Sequence, residues 1–178
     1  MNDYVKSDLM RYYGKYDLHT FITAYRKNRT FRFQYAFRLC HCTGVARLVG
    51  RILWKVNRTK YTIRIPLETK IGYGLYIGHG GPVVVSPSAV IGNNCNLSQF
   101  TTIGSNFGQA ATIGDNTYIG PNGCIVENVV IGSNVTIGAG SVVTKDIPDN
   151  ATAVGNYAKP IHFNNPGCFI DRPWKVGG

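Results

Sequence analysis

Residues 110–143 read AATIGDNTYIGPNGCIVENVVIGSNVTIGAGSVV, and within them an aliphatic residue returns every six positions: Ile113, Ile119, Ile125, Ile131, Ile137 and Val143. Toward the N-terminus the same phase governs Val85, Ile91, Leu97 and Ile103, and before those Ile65, Ile71 and Ile77. Two offsets interrupt it, two extra residues between Ile77 and Val85 and four between Ile103 and Ile113. Glycine follows the aliphatic residue at 72, 78, 92, 104, 114, 120, 132 and 138. A fixed six-residue period held over thirteen positions is the signature of a parallel β-helix. Six residues per side make a three-sided coil of eighteen, and residues 65–148 supply just over four coils. Each Ile, Leu or Val that opens a unit points inward and stacks on its equivalent, as β-branched residues do inside a sheet. Asn93, Asn94, Asp115, Asn116, Ser133 and Asn134 fall where the chain turns a corner and needs positive φ.

Composition changes sharply before the repeat. Residues 1–60 hold 13 Lys/Arg against 3 Asp/Glu, whereas residues 61–178 hold 6 of each, so the whole net charge of +10 sits in the first third. That divides the chain into a basic helical segment (1–62), a β-helix (63–161) and a C-terminal tail (162–178). Val45, Leu48, Val49, Ile52, Leu53 and Val56 recur at the helical period, with Arg47, Arg51, Lys55 and Arg58 off that face. A weaker helical pattern runs from Leu18 to Cys42. The apolar face of such a basic helix most often packs on its own protein; the alternative is peripheral contact with an anionic membrane. No nucleic-acid-binding motif accompanies the charge, so no nucleic-acid partner is expected.

An apolar content of 44% excludes disorder, and 178 residues suffice for a buried core. The absence of a long apolar run and of a signal-peptide pattern predicts a cytoplasmic protein, with the inner face of the membrane the place of any lipid contact. Five irregularly spaced cysteines do not form a disulfide framework. Cys40-His41-Cys42 has no matching Cys/His pair, so no metal is expected.

A regular β-helix offers no pocket, so chemistry is expected at the interruptions. The first follows Gly78-His79-Gly80-Gly81-Pro82, and His79 is the one histidine inside the repeat. An imidazole in a glycine-rich break is suited to general-base work on a hydroxyl. Glu68 is the carboxylate nearest in sequence and the candidate to orient it. Backbone N–H groups near Gly80, Gly81 or Gly104 are candidates for stabilising an oxyanion. Cys95 and Cys124 lie in the repeat without a partnering base, which argues against a covalent route.

The stretch Lys70-Ile71-Gly72-Tyr73-Gly74-Leu75-Tyr76-Ile77-Gly78-His79, the coil sequences VVVSPSAVIGNN, LSQFTTIG and TIGAGSVV, and the end Ala153-Val154-Gly155-Asn156-Tyr157-Ala158-Lys159-Pro160 carry a resemblance. Residues 70–161 resemble the hexapeptide-repeat acyltransferases, most closely the serine O-acetyltransferase branch. The resemblance implies a left-handed β-helix, a homotrimer with active sites between neighbours, and acetyl-CoA as donor. It places the catalytic histidine at His79 and implies coenzyme A contacts from Gly120, Gly138, Ala139 and Lys159.

Two departures bear on the acceptor. The family's Asp fifteen residues before the histidine is Arg64 here, and its Arg-His pair is missing from the loop SNFGQAAT. A zwitterionic amino acid needs charged groups to hold it. The expected acceptor is therefore a sugar or surface-polysaccharide intermediate, a small-molecule or glycan hydroxyl met by Arg64, Tyr73, Tyr76, Ser98, Gln99 and Asn106. The alternative is a serine O-acetyltransferase of cysteine biosynthesis. A non-catalytic scaffold trimer and a carbonic-anhydrase-like metalloenzyme are weaker readings, the second because a zinc site of that kind needs three histidines.

Overall fold

The computed structural model describes residues 1–175; residues 176–178 of the expected tail lie outside the described residues. Four helices come first: α1 (Asp3–Tyr13), α2 (Leu18–Lys27), α3 (Arg29–Cys40) and α4 (Gly44–Tyr61). The strands that follow are two to four residues long and lie on three faces. The first face stacks Ile63–Arg64, Val83–Val85, Thr102–Gly104, Cys124–Val126 and Val142–Val143. The second stacks Lys70–Ile71, Val90–Ile91, Thr112–Ile113 and Val130–Ile131. The third stacks Tyr76–Ile77, Asn96–Leu97, Tyr118–Ile119, Thr136–Ile137 and Thr152–Val154, and Lys159–His162 returns antiparallel on its last strand.

The register repeats the sequence period. Val84 pairs with Thr102 and Thr112 with Val130, each eighteen residues on. Lys70 pairs with Val90, twenty on, and Val90 with Thr112, twenty-two on, so the two insertions leave as corner loops without disturbing the stack. Twelve of the thirteen phased aliphatic residues are buried; Ile71 is half-buried. One coil beyond the legible phase also forms: Thr136 pairs with Thr152, only sixteen on, and Ile131 bridges to Ile147.

The corner between the second and third faces is an asparagine ladder. Asn94, Asn116, Asn134 and Asn150 all have positive φ, between 54° and 64°. Asn94 Nδ2 donates to Asn116 Oδ1 (3.3 Å), Asn116 to Asn134 (3.0 Å) and Asn134 to Asn150 (3.0 Å). Asparagine suits the place because it tolerates the left-handed region and its amide both donates and accepts. The positive φ expected at these corners holds for Asn94, Asn116 and Asn134, but not for Asn93, Asp115 and Ser133, whose side chains instead accept a backbone N–H from the coil before. The C-terminal segment runs along this corner, with Trp174 N–H on Asn94 Oδ1 (2.7 Å) and Gly167 N–H on Asn134 O (3.0 Å).

The helices close the open end of the β-helix. In the second coil, the carbonyls of Ile91, Cys95 and Leu97 accept from N–H groups of the first. The equivalent first-coil carbonyls, Ile71, Leu75 and Ile77, have no coil before them, and an unpaired buried carbonyl is costly. Side chains supply the partners. Arg38 donates to Ile71 O (3.0 Å) and Gly72 O (2.7 Å), Gln34 Nε2 donates to Leu75 O (2.7 Å), and the Tyr12 hydroxyl lies 3.1 Å from Ile77 O. Arg11 donates to Gly74 O (3.0 Å) and Asn94 O (2.7 Å). Asp8 accepts from Leu75 N–H (2.9 Å) and pairs with Arg38 (2.9 and 3.0 Å), both groups buried. Burial pushes the Asp8 carboxyl up from its ordinary range, and Arg38 opposes that shift. His41 caps α3, its ring nitrogens 2.9 Å from Phe37 O and Leu67 O.

One sequence expectation is corrected here. Five of the six residues in the apolar stripe of α4 do not pack on the protein: Val45, Leu48, Val49, Ile52 and Val56 are exposed, while Leu53 is half-buried. The face turned to α3 instead carries Gly50, Asn57 and Tyr61. A Cβ at Gly50 would lie 2.6 Å from Cys40 N, so the glycine sets the approach of the two helices.

Candidate active site

At the corner between the third and first faces, Phe100, Asn122 and Gly140 stack in successive coils with φ near +60°. In the first coil the chain turns this corner through His79 and Gly80, with φ +56° and +64°, and Gly80 N–H donates back to Gly78 O (2.8 Å). Gln99 of the next coil stacks under Gly81, so His79 and Gly80 are the two residues added at this corner. The two-residue insertion thus folds into a three-residue turn around His79. Left-handed backbone at a non-glycine residue outside the regular ladder is the kind of strain found at functional sites. The His79 side chain is exposed and makes no hydrogen bond among the described residues.

The turn is pinned from behind by α1. The Tyr12 hydroxyl accepts from Ile77 N–H (3.0 Å), two residues before His79, and lies 2.6 Å from Gln34 Oε1. Burial raises the Tyr12 hydroxyl above its ordinary value, so it stays a neutral strut.

His79 opens into a cleft of about 360 Å³ lined also by Tyr12, Tyr13, Lys27, Arg29 and Tyr76. The cations reach it through one capping residue. Asn28 ends α2 and begins α3, accepting from Thr30 N–H (3.0 Å) and Phe31 N–H (3.1 Å), which fixes Lys27 and Arg29 on either side of it. Arg29 lies over Gly80, its Cδ 3.5 Å from where a Cβ would be. Among the described residues neither cation is in an ion pair. Sequence reasoning missed both, because about fifty positions separate them from His79; their flanking of an Asn cap was the available signal.

The other expected site residues divide. Tyr76 shares the cleft with His79. Gln99 lies in the next coil under Gly81, two residues on from His79, and has a buried Oε1 without a donor. Ser98, Gly120 and Gly138 stack in the column that starts at Gly78, with Ala139 beside them, so they share the edge that begins at His79. A Cβ at Gly120 would lie 2.8 Å from Ala139 N and one at Gly138 2.7 Å from Val154 Cγ1, so coil packing alone demands both glycines. Lys159 is exposed on the final antiparallel strand.

Four residues lie apart from His79 within the protomer. Glu68 and Arg64 line a separate cleft beside Trp54 and Arg58, because Glu68 turns the corner between the first and second faces, a different edge of the prism. Tyr73 stacks on Tyr4 (4.2 Å between ring centres), where it docks α1. Asn106 belongs to the four-residue insertion, whose backbone is gathered by Glu127: Asn106 N–H donates to Oε1 (3.2 Å) and Ser105 Oγ to Oε2 (2.7 Å). These bonds hold the Glu127 carboxyl below its ordinary value.

Six-residue faces, three-sided coils and a reactive turn at an insertion define a hexapeptide-repeat transferase fold, and residues 110–145 match the family described as bacterial transferase hexapeptide (six repeats). The chain belongs to the serine acetyltransferase family. It is 32% identical over 131 residues to the serine acetyltransferase of Helicobacter pylori, covering 70% of this chain and 77% of that one. It is 43% identical over 115 residues to serine acetyltransferase 3, mitochondrial, of Arabidopsis thaliana, covering 58% of this chain and 29% of that one. The soybean serine acetyltransferase solved in complex with serine superposes with a TM-score of 0.69 at 28% identity, over 88% of this chain and 67% of that one. The chain spans only 29–54% of the length of three of the curated relatives it matches.

Proposed function

We propose that the protein transfers an acetyl group from acetyl-CoA to the hydroxyl of L-serine, with His79 as general base. The observation that carries this reading is the meeting of His79 with two unpaired cations, Lys27 and Arg29, in one cleft. The expectation of a sugar acceptor rested on missing charge, namely Arg64 in place of an Asp and a loop without an Arg-His pair. The helical segment supplies positive charge by another route, and the relatives favour serine. A carboxylate beside Lys27 and Arg29 gains charge-assisted hydrogen bonds that a sugar hydroxyl does not.

The acceptor hydroxyl attacks the thioester carbonyl while its proton passes to the His79 imidazole. The tetrahedral adduct collapses, the carbon–sulfur bond breaks, and the departing thiolate takes the proton back from the imidazolium. Backbone N–H groups of the Gly80-Gly81 turn are the candidates to hold the oxyanion. Coenzyme A follows the prism edge from His79 past Gln99 toward Gly120, Gly138 and Ala139, with Lys159 near its phosphates. The orphan Gln99 Oε1 fits such a ligand, because an amide N–H would satisfy it. No carboxylate lines the His79 cleft among the described residues. In a homotrimer, a neighbouring protomer would contribute the second wall of the site.

The test is release of free coenzyme A with L-serine and, separately, with a panel of sugars. His79→Ala lowers kcat by about 10²–10⁴ with little change in acetyl-CoA affinity. Lys27→Ala and Arg29→Ala each raise KM for serine more than they lower kcat. Turnover of a sugar with none of serine refutes the acceptor, and near-full activity in His79→Ala refutes the base. A monomer by light scattering at micromolar concentration refutes the shared site.

A further inference from the structure

α4 ends immediately before the first strand of the β-helix and spans about 27 Å at 1.5 Å per residue. Its buried side is Gly50, Asn57 and Tyr61, with Trp54 half-buried beside them. On the opposite side Val45, Leu48, Val49, Ile52 and Val56 form one stripe at i, i+3, i+4, i+7 and i+11, with exposures of 77%, 63%, 43%, 60% and 58%. Arg51 and Lys55 flank the stripe on one side and Lys60 on the other, whereas Arg47 and Arg58 fall nearer the packed side, where Arg58 lies 4.7 Å over the Trp54 ring. The helix contains five cations and no carboxylate, and none of the five is in an ion pair among the described residues.

Two facts therefore need one partner. The stripe needs an apolar surface, and the border needs negative charge close beside it. A second copy of α4 meets the first need and violates the second, since it sets Arg51, Lys55 and Lys60 against their own copies with no carboxylate on either helix. Nucleic acid meets the second and leaves the stripe in water. An anionic lipid bilayer meets both, because its acyl boundary receives the aliphatic side chains while its headgroups receive the arginines and lysines.

We propose that α4 lies in the plane of an anionic membrane surface, with Val45, Leu48, Val49, Ile52 and Val56 inserted at the headgroup boundary and Arg51, Lys55 and Lys60 on the lipid phosphates. The proposal is independent of which acceptor the His79 cleft takes. Lipid binding holds the enzyme at a surface by its helical segment and leaves the His79 turn, on the β-helix, outside the contact.

The experiment is flotation of the full chain with vesicles of phosphatidylcholine alone or mixed with phosphatidylglycerol. The wild type floats with the mixed vesicles and stays in solution with phosphatidylcholine. Leu48→Glu/Ile52→Glu, and separately Arg51→Gln/Lys55→Gln, each lower partitioning at least about tenfold. All these positions are exposed, so thermal unfolding and the mass by light scattering without lipid stay as in the wild type. The proposal is overturned if the wild type does not float with anionic vesicles, or if Leu48→Glu/Ile52→Glu floats as well as wild type. It is also overturned if that variant loses oligomeric mass without lipid, which would assign the stripe to contact between copies of the chain.

Discussion

Arg38→Ala attacks the joint between the helices and the β-helix at its most buried point. The guanidinium makes four hydrogen bonds, two to Asp8 (2.9 and 3.0 Å) and one each to Ile71 O and Gly72 O (3.0 and 2.7 Å). Truncation leaves the Asp8 carboxylate, 1% exposed, with the Leu75 N–H as its one remaining donor. Removing one partner of a buried ion pair costs about 3–5 kcal/mol, the larger share being the stranded charge. That is a substantial part of the roughly 5–15 kcal/mol that holds a typical domain together. The assay is urea unfolding at fixed protein concentration, followed by far-UV circular dichroism. Burial already raises the Asp8 carboxyl, and losing Arg38 raises it further. The folded variant therefore binds a proton more tightly than its unfolded chain, and its deficit shrinks as pH falls through the raised folded value, above the ordinary carboxylate range. A loss below about 1 kcal/mol, or a deficit that grows on acidification, would refute the claim that this pair is buried and docks the helices.

Asn116→Ala breaks two rungs of the ladder and puts alanine at φ +54°, and is expected to cost about 1–3 kcal/mol; Asn116→Gly, which restores only the conformational part, should lie between alanine and wild type in thermal unfolding. Burial pushes the Cys95 thiol up to about 12, so thiol reagents should modify exposed Cys168 in the native protein and reach Cys95 only on unfolding. The Glu127 carboxyl is held below its ordinary value by the loop, so its tether is intact above that value and is lost as pH falls through the lowered one. Hydrogen exchange at Asn106 and Phe107 should accelerate over that acidic window in wild type, and Glu127→Gln should show fast exchange already at neutral pH.

The β-helix was legible because its inward residues are spaced by covalent geometry, and each insertion shifts the phase without erasing it. The final coil escaped because it is two residues short, which moves Ile147 and Ala153 off the six-residue count. Helix α1 was invisible to hydrophobic periodicity for a chemical reason. Its buried face includes Ser7, Asp8 and Arg11, polar groups whose task is to pair the β-helix's open edge. In α4 the apolar stripe was recognised, yet its direction was misread, because a glycine and an asparagine hold the packed side. His79 stood out as a histidine in a glycine-rich break. The cations around it could not, since charge on a helix ordinarily faces solvent and only the fold reveals that Lys27 and Arg29 share a cleft with it.

Arg11 has a consequence for how the chain acquires this shape. Besides the first coils, its Nε donates to Asp171 O (2.8 Å), and Arg172 reaches back to Tyr12 O (3.0 Å), each across 160 residues. On a ribosome, α1 therefore meets part of its binding surface only after Asp171 and Arg172 have been synthesised. Contacts of such long sequence separation close late and slowly. Until then the coils beyond the first have nothing to wait for, since each stacks on the one just made. The coils thus stack as nearest neighbours whether or not this contact has closed, and the helical cap is fastened by the C-terminal segment that reaches back to it.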